Sequence, residues 1–226
     1  MIALIASLLF SSACILSPVD PDPVRTGQAV NVIEWEPSNV TRGQNPDNRE
    51  ALYKQGVSFD EFLATAELRK ERWHRNYKNS DVDDDLLMRA LAVKGSWRLL
   101  AVAVDSCSDS VSTIPYLARL VSEVNGLEMR IIDSTVGRQI MMDHLTGDGR
   151  EATPTVVLLN DAYEEVGCFV ERPVLLREWI SENRTGLDDG EYLKQKFAWY
   201  DEDAGRHTVE AIVTMMENAA DGKTGC

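Results

Sequence analysis

The chain has 226 residues, with 37 Asp and Glu against 23 Lys and Arg and a formal net charge of −14. That balance argues against a nucleic-acid partner, because no basic surface is left to neutralise a run of phosphates. Four cysteines, at 14, 107, 168 and 226, are too few and too scattered for a disulfide framework, and no CxxC occurs. With histidines only at 74, 144 and 207, the sequence shows no metal-ligand cluster.

Residues 1–14 open with an apolar run long enough for the core of a signal sequence and too short to span a bilayer. Ser11-Ser12-Ala13-Cys14 is similar to a bacterial lipobox, which implies export, a lipid on Cys14 and attachment to the membrane. Ser11 stands where Leu is usual, and no Lys or Arg precedes the run. A plain signal cleaved after Ala13, giving a periplasmic protein, stays open, as does a cytoplasmic one if the segment is no signal. Residues 15–57, with Pro18, Pro21, Pro23, Pro37 and Pro46 among polar residues, read as a tether.

Residues 58–94 read as a helical extension. Ser58 with Glu61 makes a capping box, and apolar positions from Phe59 to Tyr77 predict one long amphipathic helix. A shorter helix is expected over residues 80–93, capped by Ser80 or Asp81, with Leu86, Leu87 and Leu91 inward. The core, residues 95–183, starts with the continuous apolar run 99–104, a buried strand. Val111, Ile114, Leu117, Ala118 and Val121 then recur at helical spacing from near Ser108. Cys107 falls where that strand hands over to the helix N-terminus, whose unpaired N–H groups and dipole favour thiolate over thiol.

Further along, residues 127–132 predict a second strand, 137–145 a short helix, 155–159 a third strand, and 164–170 a fourth beyond the turn at Asn160-Asp161. Leu175, Leu176, Trp179 and Ile180 mark the next helix. Residues 184–226 hold two more, over 188–201 and 207–220, and Cys226 reads as a disordered, incidental terminus.

This element order, with a cysteine at the first strand-to-helix junction and Thr153-Pro154 opening the third strand, resembles a thioredoxin fold: a mixed sheet flanked by helices. Pro115 lies eight residues after Cys107, and Ala152-Thr153-Pro154-Thr155 matches the place of the thioredoxin cis-proline. A narrower resemblance takes in Ser106-Cys107-Ser108-Asp109-Ser110. It is similar to the Trp-Cys-Gly-Asp core of a bacterial thioredoxin-like family with an N-terminal helical extension and a C-terminal helical tail. Asp143-His144-Leu145-Thr146, Gly149-Arg150-Glu151-Ala152-Thr153-Pro154-Thr155, Gly167 with Arg172-Pro173, and residues 199–205 carry the rest of that resemblance.

The resemblance implies a thiol redox protein with Cys107 as nucleophile. The resolving cysteine of the thioredoxin pattern is Ser110 here. Ser106 replaces the usual Trp, and Ala101 stands where thioredoxins bury a proton-relaying Asp. Three readings of Cys107 therefore stay open. It is a monothiol catalyst resolved by glutathione or another small thiol, it is paired with Cys168 as an unconventional resolving partner, or it is a relic in a module that only binds. Cys168 reaches the cis-proline end only if the last hairpin has one register, since a one-residue slip turns it to the other face.

Ser106, Ser108, Asp109, Thr153, Pro154, Gly167 and Arg172 are the expected substrate-binding residues. The backbone at Thr153-Pro154 offers an edge for an extended protein substrate, and Arg172 lies on the rim as an attractor for carboxylates. Asp109 also reads as a stabilising acid in the first helical turn. Beyond a small thiol such as glutathione, no cofactor is expected. Iron–sulfur binding of the monothiol glutaredoxin kind needs Cys-Gly-Phe-Ser, which Cys107-Ser108-Asp109-Ser110 does not match.

Overall fold

The structure, a computed structural model, describes residues 48–226, so Cys14, the lipobox and most of the expected tether lie outside the described residues. Four strands form one sheet in the order β2-β1-β3-β4: β1 (Trp97–Val102), β2 (Leu127–Ile132), β3 (Thr155–Leu159) and β4 (Glu165–Val170). β1 runs parallel to β2 and antiparallel to β3, and β3 pairs antiparallel with β4. The α/β thioredoxin-like architecture expected from the element order is the one observed.

Strand alternation divides the core into two. Leu99, Ala101, Val156, Leu158 and Phe169 face α5 (Ser110–Glu123) and the terminal helices, while Leu100, Val102, Val157 and Leu159 face α1 (Arg49–Gln55) and α6 (Arg138–Asp143). Each edge strand carries one isolated bridge. Val57 bridges to Ile131 on β2, and Gly225 bridges to Gly167 on β4.

α1 occupies the end of the expected tether and seats Tyr53 in the second core, so the folded chain begins before Ser58. The expected long amphipathic helix is two helices, α2 (Phe59–Thr65), with its capping box at Ser58 and Glu61, and α3 (Lys70–Asn79). Between them Arg69 adopts a left-handed conformation, and the freed N–H groups of Glu67 and Leu68 donate to the Asp105 carboxylate at 2.9 and 2.8 Å. The break is thus set by a tertiary acceptor at the β1 terminus. α4 (Asp84–Ala92) starts after Asp83 rather than after Ser80 or Asp81, and Leu91 points to solvent while Leu86 and Ala90 are buried.

Pro115 sits inside α5, where it cannot donate to the Val111 carbonyl one turn back. Buried Asn76 of α3 supplies the missing donor, its side-chain amide reaching that carbonyl at 2.8 Å. An orphaned buried carbonyl is costly, so this bond fixes the extension onto the core. α7 (Val174–Asn183) follows β4, then α8 (Asp189–Asp203) and α9 (Arg206–Ala220). Gly205, between the last two, has φ +80° and lies against the Tyr116 ring, a place only a residue without Cβ fills easily.

Candidate functional site at the β1–α5 junction

Cys107 lies in the turn between β1 and α5, and its side chain meets the loop that opens β3. The thiol donates to the Thr153 carbonyl at 3.0 Å, and the Ser110 N–H at the start of α5 points at the sulfur from 3.5 Å. The Thr153–Pro154 bond is cis. The residue is a thiol and is only 3% exposed. The expected neighbourhood with Pro154 is therefore present, while the sulfur is more enclosed than a freely reacting thiol.

The N-terminal extension straps this turn from outside. Besides the two N–H groups on the Asp105 carboxylate, the Trp73 indole donates to the Asp105 carbonyl at 3.0 Å and Arg69 Nε to the Ser106 carbonyl at 2.6 Å. Ser106 itself stays exposed. A cleft of about 350 Å³ opens alongside, lined by Phe62, Ala66, Val104, Asp105, Ile132 and Val136.

The inner side of the turn is held by charge. Asp109 is 4% exposed and stands at the N-cap of α5 without capping it. Its carboxylate instead accepts from Lys196 Nζ at 2.9 Å, the Tyr200 hydroxyl at 2.8 Å and both ends of the Arg172 fork at 3.1 and 3.3 Å. Lys196 also donates to Ser108 Oγ at 2.8 Å. Burial pushes the Asp109 carboxyl up, but Lys196 and then Arg172 outweigh it and hold the group below the ordinary Asp range. The same buried carboxylate, after desolvation, keeps the Tyr200 phenol protonated far above its usual range.

Several of the expected site residues have partners within the protein. Arg172 is not a free rim cation: it forks onto Asp109 and pairs with Glu171 at 2.7 Å, and burial is outweighed by these carboxylates, which raise its pKa. Asp109 and Ser108 are turned toward α8, where both accept from Lys196. Gly167 serves close packing, since a Cβ there would run into Met215 of α9. Cys168 pairs in register with Val157, on the sheet face opposite α5, and is bonded to Cys226. The hairpin register thus puts it away from Cys107, and Cys226 is an ordered partner rather than an incidental end.

Ser110 is fully buried, and its hydroxyl has no hydrogen-bond partner among the described residues. Thr153 is half-buried and Pro154 buried beside Cys107. The Pro154 carbonyl accepts from Glu171 N–H at 2.8 Å, which ties the proline loop to the turn carrying Arg172. Sequence reasoning missed Lys196, and it took Tyr200 only as part of the 199–205 stretch of the resemblance. No spacing signal links either to Asp109, 87 and 91 residues away.

The thioredoxin family profile matches residues 56–185. No curated protein matches the chain. Among solved structures, a Pseudomonas aeruginosa protein of unknown function is similar over 74% of this chain and 96% of its own, at 20% identity and TM-score 0.59. An HIV epitope scaffold is similar over 75% and 97%, at 20% identity and TM-score 0.58. At that identity these two likenesses speak for the fold alone. With the profile spanning more than half of its length, the chain belongs to the thioredoxin family.

Proposed function

We propose that this protein is a thiol redox protein acting through the single sulfur of Cys107, exchanging disulfides in the bacterial cell envelope. The observation that carries the reading is the seat of that sulfur, at the α5 N-terminus and 3.0 Å from the Thr153 carbonyl. The apolar leader and the lipobox-like Cys14 support the location.

In the proposed reaction, Cys107 loses its proton to solvent and the thiolate attacks a substrate disulfide R–S–S–R′. A Cys107–S–S–R bond forms as R′S⁻ leaves. Ser110 carries no sulfur to resolve this adduct. A small thiol such as glutathione attacks instead, releasing R as a mixed disulfide with that thiol and regenerating Cys107.

The test is reduction of a glutathionylated peptide by reduced glutathione, followed spectrophotometrically. Turnover that vanishes in Cys107→Ser supports the reading, and turnover unchanged in that variant refutes it. A second reading, a module that binds an extended peptide without chemistry, is favoured by the 3% exposure of Cys107. It predicts no adduct on Cys107 and full function of Cys107→Ser in complementing a deletion.

A further inference from the structure

The sheet face turned away from Cys107 carries a second group of ligating side chains. Cys168 lies mid-β4, and the terminal segment brings Cys226 to it, with Gly225 N–H donating to the Val166 carbonyl at 3.2 Å. His144, just past the end of α6, converges on the same place. Its Nε2 is 2.6 Å from Glu165 Oε1, and Cys226 Sγ is 3.9 Å from that oxygen. The ligating atoms of His144, Cys168 and Cys226 all lie within 4.8 Å of one another.

A disulfide needs no imidazole or carboxylate beside it. His144 Nε2 is buried and meets Glu165 Oε1 at ion-pair distance, so imidazole and carboxylate are already held together beside the two sulfurs. Glu165 is aimed from behind by Arg49, which donates to its other oxygen at 3.0 Å and to Asp143, next to His144, at 3.0 Å. An outer group that orients a ligating carboxylate in this way is typical of metal sites.

Two thiolates, an imidazole and a carboxylate form a tetrahedral donor set for zinc. Zn–S bonds near 2.3 Å place two sulfurs about 3.8 Å apart, so the sulfur–sulfur bond must open before the metal enters. Two thiolates, Glu165 and Asp143 face Zn²⁺ and the Arg49 guanidinium, which offset all but one of the negative charges.

We propose that, once the Cys168–Cys226 bond is reduced, Cys168, Cys226, His144 and Glu165 bind one zinc ion, and that oxidation expels it. The exchange is balanced: the zinc-bound dithiolate plus a small-molecule disulfide gives the Cys168–Cys226 disulfide, free Zn²⁺ and two small thiolates. This site makes no use of Cys107.

The test uses the full chain, reduced with a phosphine under argon and titrated with Co²⁺ and then Zn²⁺. One Co²⁺ per chain is expected, with thiolate-to-metal charge-transfer absorption and tetrahedral visible bands, displaced by Zn²⁺. Cys107→Ser should leave this unchanged, whereas Cys168→Ser and Cys226→Ser should abolish the two-thiolate spectrum. His144→Gln should weaken binding by at least the roughly 10–100-fold typical of an outer-shell change.

Reduced protein that takes up no metal overturns the proposal, and so does binding lost only in Cys107→Ser. Because serine variants can unsettle the terminal segment, the unsubstituted protein provides a second measurement. Zinc-loaded protein treated with glutathione disulfide should release one zinc for each Cys168–Cys226 bond formed. Zinc retained after that bond has formed overturns the proposal.

Discussion

Replacing Lys196 with Met tests whether the buried charge cluster holds the Cys107 turn in place. Lys196 is 3% exposed and lies 2.9 Å from Asp109 Oδ2 and 2.8 Å from Ser108 Oγ. Met keeps most of the volume and removes the charge. Breaking a buried ion pair from one side costs about 3–5 kcal/mol. Because Arg172 and Tyr200 still reach Asp109, the lower end, about 3 kcal/mol, is expected at neutral pH. For a domain of this size that lowers Tm by roughly 6–12 °C.

Urea unfolding at neutral pH measures the loss. Asp109→Asn in the same chain should recover part of it, with a coupling of about 2 kcal/mol. The pH dependence has a fixed sign. The folded state holds the Asp109 carboxyl below its unfolded value, so the stabilisation is complete above the ordinary Asp range and fades as pH falls through the folded value. The gap between the parent and Lys196→Met should therefore shrink below about pH 4. A loss under about 0.5 kcal/mol, or a strictly additive double variant, would refute the reasoning.

Ser110→Cys places a sulfur where a buried hydroxyl makes no hydrogen bond among the described residues. It should leave stability unchanged or raise it by up to about 1 kcal/mol, and it should release a thiol bound to Cys107 without added glutathione, as followed by mass spectrometry of the adduct. Gly205→Ala must carry a Cβ at φ +80° against Tyr116, and a loss of about 2–4 kcal/mol is expected from urea midpoints. Gly147→Ala, with open space around it, should stay within about 0.5 kcal/mol. Asn76→Ala leaves the Val111 carbonyl beside Pro115 without a donor and should cost about 1–3 kcal/mol in the same assay.

The fold was legible because its signals are local. The apolar run ending near Val104 and the helical spacing after Cys107 gave β1 and α5, and Thr153-Pro154 marked the loop that meets the sulfur. The capping box at Ser58 is formed as its two residues suggested. What could not be read depends on distant partners. The α2–α3 break exists because Asp105 accepts the N–H groups of Glu67 and Leu68, over a separation no periodicity records. Arg172 looked like a rim cation because the carboxylate it neutralises is far away in sequence. Cys168 could face either side of β4, and the register with Val157 decided it.

The central claim is that the enclosed Cys107 thiol reacts from the folded state. The most direct measurement is the rate at which glutathione disulfide modifies native protein, with adducts mapped by mass spectrometry across low denaturant concentrations. The account predicts one glutathione on Cys107, added at a rate insensitive to denaturant well below the unfolding midpoint and removed by reduced glutathione. Modification that climbs with denaturant in step with global unfolding would contradict it and leave Cys107 a packed core residue.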